Sequence, residues 1–401
     1  MLIGVVGKTN VGKSTFFAAA TLATVEIANH PFTTIKPNVG VGYVRKKCVC
    51  KEFGVKDNPR NSICIDGERF IPVTLIDVAG LIPEAHKGRG LGNKFLDDLR
   101  KADVLLHVVD ASGSTDAEGR PVPPGTYDPV EEVRLIQREV DLWLFQILQK
   151  DWRRLVHKAE SEGKFEDLLA ERLAGLSITK THIVKALRDA KLESTKPSSW
   201  RSKELMLFVS TLRKIAKPSV IVANKADISE AQDIIKKMTK ELKDEIVVPT
   251  SALAELVLRR AAKKGYIKYL PGDPDFEVVD ESKLTPKERK GLEYIREHVL
   301  RKWGSTGVQQ ALNKAVFEVL EMIAVYPVED PVKLTDHEGR VLPDVFLVKK
   351  GTTARELAYK IHTDLGRTFL YAIDARSKRR LGENYVLQDN DVISIVAAKG
   401  R

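Results

Sequence analysis

The chain begins with the apolar run LIGVV, passes at once into GKTNVGKS (residues 7–14) and continues as a helical stretch. No other feature limits its fold as tightly. The pattern GxxxxGK followed by Ser or Thr requires a strand before it and a helix after it, and both are met here. Its glycines let the backbone curl so that several N–H groups converge on one anion, and the helix N-terminus adds its dipole. Gly7, Asn10, Val11 and Gly12 would shape this cradle, with Thr15 in the first helical turn. Lys13 would reach the β- and γ-phosphates of a nucleotide, and Ser14 would ligate Mg²⁺.

Strand-length apolar runs then recur at Val39–Val44, Phe70–Ile76, Val104–Val109, Ser219–Ala223 and Glu245–Pro249, alternating with helical patterns such as Lys13–Ala23 and Gly92–Lys101. Such alternation predicts an α/β domain with a mostly parallel sheet. After the turn-rich GRPVPPGTYDP (119–129) the pattern turns helical as far as Lys217, with Asp128 as a cap and Pro129 in the first helical position. We read a helical insert there. TPKERKGLEYIREHVLRKWG (285–304) predicts a helix capped by Thr285, and GVQQALNKAVFEVLEMIAVY (307–326) a second, long one. From Tyr326 onward, short strands, a helix near Thr353–Leu365 and turns at HEGR and GENY predict a small α+β domain. The expected division is 1–127 and 218–325 for the two parts of the α/β domain, 128–217 for the insert and 326–401 for the last domain.

Three further motifs fall at strand ends. Asp77-Val78-Ala79-Gly80 follows FIPVTLI; Asp77 would hold Mg²⁺ through water, and the Gly80 N–H would meet a γ-phosphate. Asn224-Lys225-Ala226-Asp227 follows SVIVA. A carboxylate at Asp227 can accept two parallel hydrogen bonds from guanine N1–H and N2–H₂, a donor pair that adenine lacks. Lys225 can lay its alkyl stem along the base, and Asn224 can tie neighbouring loops together. In Thr250-Ser251-Ala252, the N–H of Ala252 is placed to donate to guanine O6. HPFTTIKP (30–37) lies where a switch threonine would complete a Mg²⁺ shell, and Thr33 and Thr34 both qualify.

The set GKTNVGKS, HPFTTIKPNVG, DVAGLIPEAHKGRGLGNKFL, NKAD and TSA resembles the Obg-related GTPases of the translation-factor class. The insert beginning near TYDPVEEVRLIQREV resembles that of the YchF-type branch. DHEGRVLPDVFLVKKGTTARELAYKIHTDLG with RRLGENYVLQDNDVISIV resembles a TGS domain, which implies a β-grasp-like sheet. An archaeal-type member of the branch is the nearest match. The resemblance selects Thr34 as the Mg²⁺ threonine. It implies a GTP- and GDP-binding switch, hydrolytic through Lys13, Thr34 and Gly80, that partners ribosomes or ribosomal RNA in the cytoplasm. Leu81 stands where many GTPases carry a catalytic glutamine, which implies slow intrinsic hydrolysis. Some relatives with asparagine at the position of Asn10 use a potassium ion, so K⁺ is a further expected cofactor. Many YchF-type proteins carry methionine and glutamate in the base motif and favour ATP; the intact NKAD here points to GTP. The alternatives are a nucleotide-gated RNA-binding scaffold with incidental hydrolysis, and an ATPase.

Lys plus Arg is 65 against 55 Asp plus Glu, a net charge of +10 without a dominant tail, which is a weak pointer to RNA. Arg376, Lys378, Arg379 and Arg380 form either a solvated turn or a phosphate contact. His86 and Arg89 read as solvated loop residues, and Trp143 and Trp152 as helix-packing residues. No apolar run reaches the ~18 residues of a membrane span. The three cysteines, Cys48, Cys50 and Cys64, are few and odd in number, which suits a reducing compartment. They could form part of a metal site, but no fourth ligand is evident at suitable spacing, and the preferred reading is ordinary strand cysteines.

Overall fold

A computed structural model describes residues 1–22, 38–78 and 98–398. The described residues divide into two compact units, one of 1–22, 38–42, 74–78 and 98–315, the other of 43–73 and 316–398.

The first unit holds the parallel sheet. The sheet's strands are β1 (Leu2–Val6), β2 (Val39–Lys47), β4 (Glu68–Asp77), β5 (Val104–Asp110), β6 (Ser219–Asn224) and β7 (Ile246–Pro249), in the order β2-β4-β1-β5-β6-β7, with residues 43–47 of β2 and 68–73 of β4 counted in the second unit. β1 pairs in parallel with β4 on one side and β5 on the other, so the chain leaves it in opposite directions. That reversal is a topological switch point, the place where open α/β sheets hold ligands. β5 is buried along its whole length, as a central parallel strand must be.

Between β5 and β6 lie the helices Pro129–Gln149, Trp152–Glu162, Phe165–Leu173, Lys180–Asp189 and Ser202–Ala216. Asp128 caps the first by accepting from the Val130 N–H at 3.0 Å, with Pro129 in the first turn. Val130, Val133, Ile136, Val140, Leu144 and Leu148 form its buried stripe. Each such side chain contributes about 1.5–3 kcal/mol on burial. Trp143 is buried, and Trp152 stacks on Trp200 at 5.5 Å with Phe165 edge-on to both, so these aromatics pack the insert.

Thr285 caps helix Pro286–Ile295 through a reciprocal pair with Glu288. The long helix expected over 307–326 is shorter than its sequence pattern. Residues 308–319 are helical, and Met322–Val328 forms a strand, β10. MIAVYPV is rich in β-branched and aromatic residues, and a short apolar run of this kind fits either period. Its neighbours in the sheet decide the outcome.

The second unit is built from two distant stretches of chain. β3 (Ile63–Ile65) pairs antiparallel with the first residues of β4. β10 with β11 (Phe346–Lys349), β12 (Phe369–Asp374), β13 (Arg380–Leu381) and β14 (Val392–Ala397) makes a five-stranded sheet in the order β11-β10-β14-β12-β13. The β10–β14 pair is parallel and the others are antiparallel. Helix Ala354–Ile361 lays Ala354 and Leu357 against Ile323, Val325, Val348 and Ile393 on one face of this sheet, a β-grasp arrangement. The cysteines are not all in strands: Cys48 precedes and Cys50 opens the short helix Cys50–Phe53, and only Cys64 lies in a strand. The basic turn is largely committed to its own unit. Arg376 pairs through two nitrogens with Glu52, Lys378 donates to two carbonyl oxygens, and the Arg380 guanidinium lies 4.5 Å from the Tyr371 ring.

Candidate nucleotide-binding site

The segments after β1, β6 and β7 leave the carboxyl ends of parallel strands, the end at which Asp77 closes β4, so they gather at one edge of the sheet. In the loop after β1, Gly7 has φ 152°, and a Cβ there would lie 2.3 Å from the Val108 carbonyl oxygen. Gly12 has φ 92°, and a Cβ there would meet Asn224 Nδ2 at 2.2 Å. Only glycine permits both the turn and that approach. Helix Lys13–Thr21 starts directly after Gly12, which places the N–H groups of Lys13, Ser14 and Thr15 in the first turn, where an α-helix offers no internal acceptor.

Asn224, 4% exposed at the end of β6, joins two loops. Its Nδ2 donates to the Val11 carbonyl at 2.8 Å, and its Oδ1 accepts from the Ala252 N–H at 3.0 Å. The Ala252 N–H expected to meet guanine O6 is therefore engaged by Asn224, at the start of helix Ala252–Lys263. Asp227 is held by Ser251, whose hydroxyl donates to Asp227 Oδ1 at 2.7 Å. Behind the two loops, Trp303 Nε1 donates to the Ala226 carbonyl at 3.0 Å and Tyr294 to the Asp227 carbonyl at 3.1 Å. Lys225 has φ 63°, and its Nζ lies 2.7 Å from Asp110 Oδ2 and 3.2 Å from Ser114 Oγ. Burial would raise the Asp110 carboxyl. Hydrogen bonds from Lys225, Ser112 and Ser114 outweigh it and hold the group below the usual range.

At the other end, Ser14 Oγ stands 3.4 Å from Asp77 Oδ2. Asp77 Oδ1 is buried without a hydrogen-bond partner among the described residues. Burial pushes the Asp77 carboxyl up, against the pull of Lys13 and Ser14. A buried carboxylate oxygen without a donor, beside a hydroxyl, suits a hard divalent cation such as Mg²⁺. Thr34, Gly80 and Leu81 lie outside the described residues, as do Thr33, His86 and Arg89.

The structure adds residues that motif reading missed. Lys8, inside the phosphate-loop pattern, is 4% exposed and pairs with buried Glu132 at 2.9 Å. It also donates to the Thr115 carbonyl at 3.0 Å and lies 4.1 Å from the Tyr127 ring. Thr9 Oγ1 reaches the Glu118 carbonyl at 3.2 Å, and Asn10 Nδ2 the Gly119 carbonyl at 2.8 Å. The loop is thus braced by residues 115–132. Asn10 spends its amide donor on Gly119, which leaves its carbonyl oxygen as the end able to ligate a cation. Burial lifts the Glu132 carboxyl to about 7 although Lys8 opposes the shift. A signal existed in the sequence: Glu132 stands four residues before Ile136 on a stripe that, apart from it and Glu139, is apolar.

Three family patterns match along the chain. They are the 50S ribosome-binding GTPase over residues 2–152, the G4 motif-containing domain of the YGR210-like Obg-like GTPases over 222–330, and the TGS domain over 338–397. The chain is 54% identical to the uncharacterized GTP-binding protein MJ1332 of Methanocaldococcus jannaschii, over 99% of each chain. It is 28% identical to the ribosome-binding ATPase YchF of Bacillus subtilis, over 97% of each. The crystal structure of a GTP-binding protein from Pyrococcus horikoshii superposes with a TM-score of 0.80 at 43% identity, covering 99% of this chain and 100% of that one. With a phosphate loop, a base-motif loop and a TGS domain in these places, the chain belongs to the Obg-like, YchF-type family of GTP-binding proteins.

Proposed function

We propose that the protein is a Mg²⁺-dependent GTPase switch of the cytoplasm that associates with ribosomes or ribosomal RNA. One observation carries the reading: the Asn224 side chain bonds both Val11 and Ala252, and so ties the loop after β1 to the loop after β7. Lys13 and the first-turn N–H groups bind the β- and γ-phosphates, Asp227 takes the guanine N1–H and N2–H₂, and the Gly80 N–H meets the γ-phosphate. Ser14, Thr34 and Asp77 hold Mg²⁺, which neutralises charge on the phosphate oxygens. With Leu81 in place of glutamine, intrinsic hydrolysis is slow. A K⁺ ion at the Asn10 carbonyl oxygen is part of the proposal, since charge there would stabilise transfer as an arginine finger does elsewhere.

Ribosome association is supported by the B. subtilis relative, a ribosome-binding ATPase by name, and by the 50S ribosome-binding GTPase pattern. That relative is named an ATPase, so base choice is the first point to test. In competition against labelled GTP, ATP should bind far more weakly, and Asp227→Asn should erase most of the difference. Comparable affinities in the unaltered protein would refute the guanine assignment. Co-sedimentation with ribosomes should differ between GTP and GDP; RNA affinity indifferent to the nucleotide would favour a scaffold. Equal turnover in KCl and NaCl would remove K⁺ from the account.

A further inference from the structure

All three cysteines of this 401-residue chain meet at one point, together with a carboxylate. The Sγ atoms of Cys48, Cys50 and Cys64 and a carboxylate oxygen of Asp57 lie within 4.8 Å of one another. Cys48 and Cys50 are 4% exposed, and the Asp57 side chain is 8% exposed.

The spacing matches a tetrahedral ion. With Zn–S near 2.3 Å and Zn–O near 2.1 Å, the edges of a tetrahedron are about 3.8 Å between sulfurs and about 3.6 Å from sulfur to oxygen. Cys50 and Cys64 are 3.9 Å apart, and Cys48 stands 3.2 Å from Asp57 Oδ2. Shifts of a few tenths of an ångström to about one ångström would close the set. Arg69, fully buried, donates to Asp57 Oδ2 at 2.7 Å and to the Leu342 carbonyl at 2.7 Å, and its Nη1 lies 4.0 Å from Cys48 Sγ. Three thiolates, one carboxylate and a divalent ion sum to a charge of −2, and this guanidinium offsets part of it while fixing the carboxylate from behind, as outer-shell partners do.

We propose that Cys48, Cys50, Asp57 and Cys64 form a closed structural site for a Zn²⁺ ion. Binding converts three thiols to thiolates and releases three protons to solvent, with no change of oxidation state. Four protein ligands leave no open position, so the site is structural and not catalytic. Its effect is to fix the loop between Cys50 and β3. That loop carries Asn58, Arg60 and Asn61, whose bonds run to the segment 341–345: Asn58 N–H to the Val341 carbonyl at 2.8 Å, Arg60 N–H to the Pro343 carbonyl at 2.7 Å, and Asn61 to both backbone groups of Val345 at 3.0 Å.

The test uses the full chain, expressed with zinc and purified in reductant without chelator. Elemental analysis should give about one zinc per chain. Cobalt loading should give thiolate-to-metal charge-transfer bands and tetrahedral d–d bands. Cys64→Ser should lose the ion, and Arg69→Lys should weaken zinc binding by about 10–100-fold. Should Cys64→Ser fail to fold, the unaltered protein still decides: a strong chelator should lower its melting temperature, and added zinc should restore it. Three titratable thiols with no metal bound after loading, or a Cys50–Cys64 disulfide that forms in preference to metal binding, would overturn the proposal.

Discussion

Two short loops in this molecule follow strands and gather polar groups, and they do so in opposite ways. The phosphate loop leaves Thr9 and Asn10 exposed and presents the free donors of a helix start. Around the cysteine loop, Arg69 has no exposed surface and the cysteines at 48 and 50 are buried. A ligand that must enter and leave needs an open side, whereas groups meant to stay together can be sealed. Burial of the surrounding charges follows the same division: Lys8 and Glu132 are sealed behind the phosphate loop, where they brace it, while the face toward the nucleotide stays accessible.

Variants that separate binding from stability can break this contrast. Lys13→Ala should lower turnover by on the order of 1,000-fold with little change in melting temperature; a collapse in stability would show that the open loop is also a structural keystone. Arg69→Met should do the reverse, costing about 3–5 kcal/mol because a buried ion pair with Asp57 and the bond to the Leu342 carbonyl are both broken. Its GTP affinity, read by titration calorimetry, should not move, and a shift there would defeat the comparison. Asp227→Asn should weaken GTP binding by on the order of 100-fold, the loss of one charge-assisted hydrogen bond with an ill-matched donor left behind. The last prediction concerns pH. Glu132 has a folded pKa of about 7, above the ordinary carboxylate value of 4.5. The folded form therefore holds the proton over that window while the unfolded form has released it. Stability thus falls as pH rises from about 4.5 to about 7 and is flat beyond. In denaturant titrations Glu132→Gln should show a shallower fall than the unaltered protein, and parallel curves would show that the site does not titrate in this range.

The sequence made the sheet and the ligand loops readable because their physics is local. A glycine loop between strand and helix, Asp128 before Pro129, and Thr285 before Pro286 each carry their reason within a few residues. What escaped was non-local. Lys8 and Glu132 lie 124 positions apart, and nothing in either neighbourhood announces the other. Asp57 is one carboxylate among 55 acidic side chains, and only the folded loop sets it beside the cysteines. The helix pattern over 307–326 ran on into MIAVYPV because a strand paired at long range looks, in sequence, like the next helical turns.

The interleaving of the second unit also has a consequence for biosynthesis. Its two stretches, ending at Val73 and resuming at Val316, are separated by about 240 residues. At ~5–20 residues per second, the first stretch waits roughly 12–50 s for its partner to emerge. During that interval Arg69 has no Leu342 carbonyl to bind, and the loop carrying Asn58, Arg60 and Asn61 has nothing to pair with. The nascent chain must carry an unfinished half-domain through the synthesis of everything between, and the C-terminal 86 residues act as the clasp that closes a structure begun near the N-terminus.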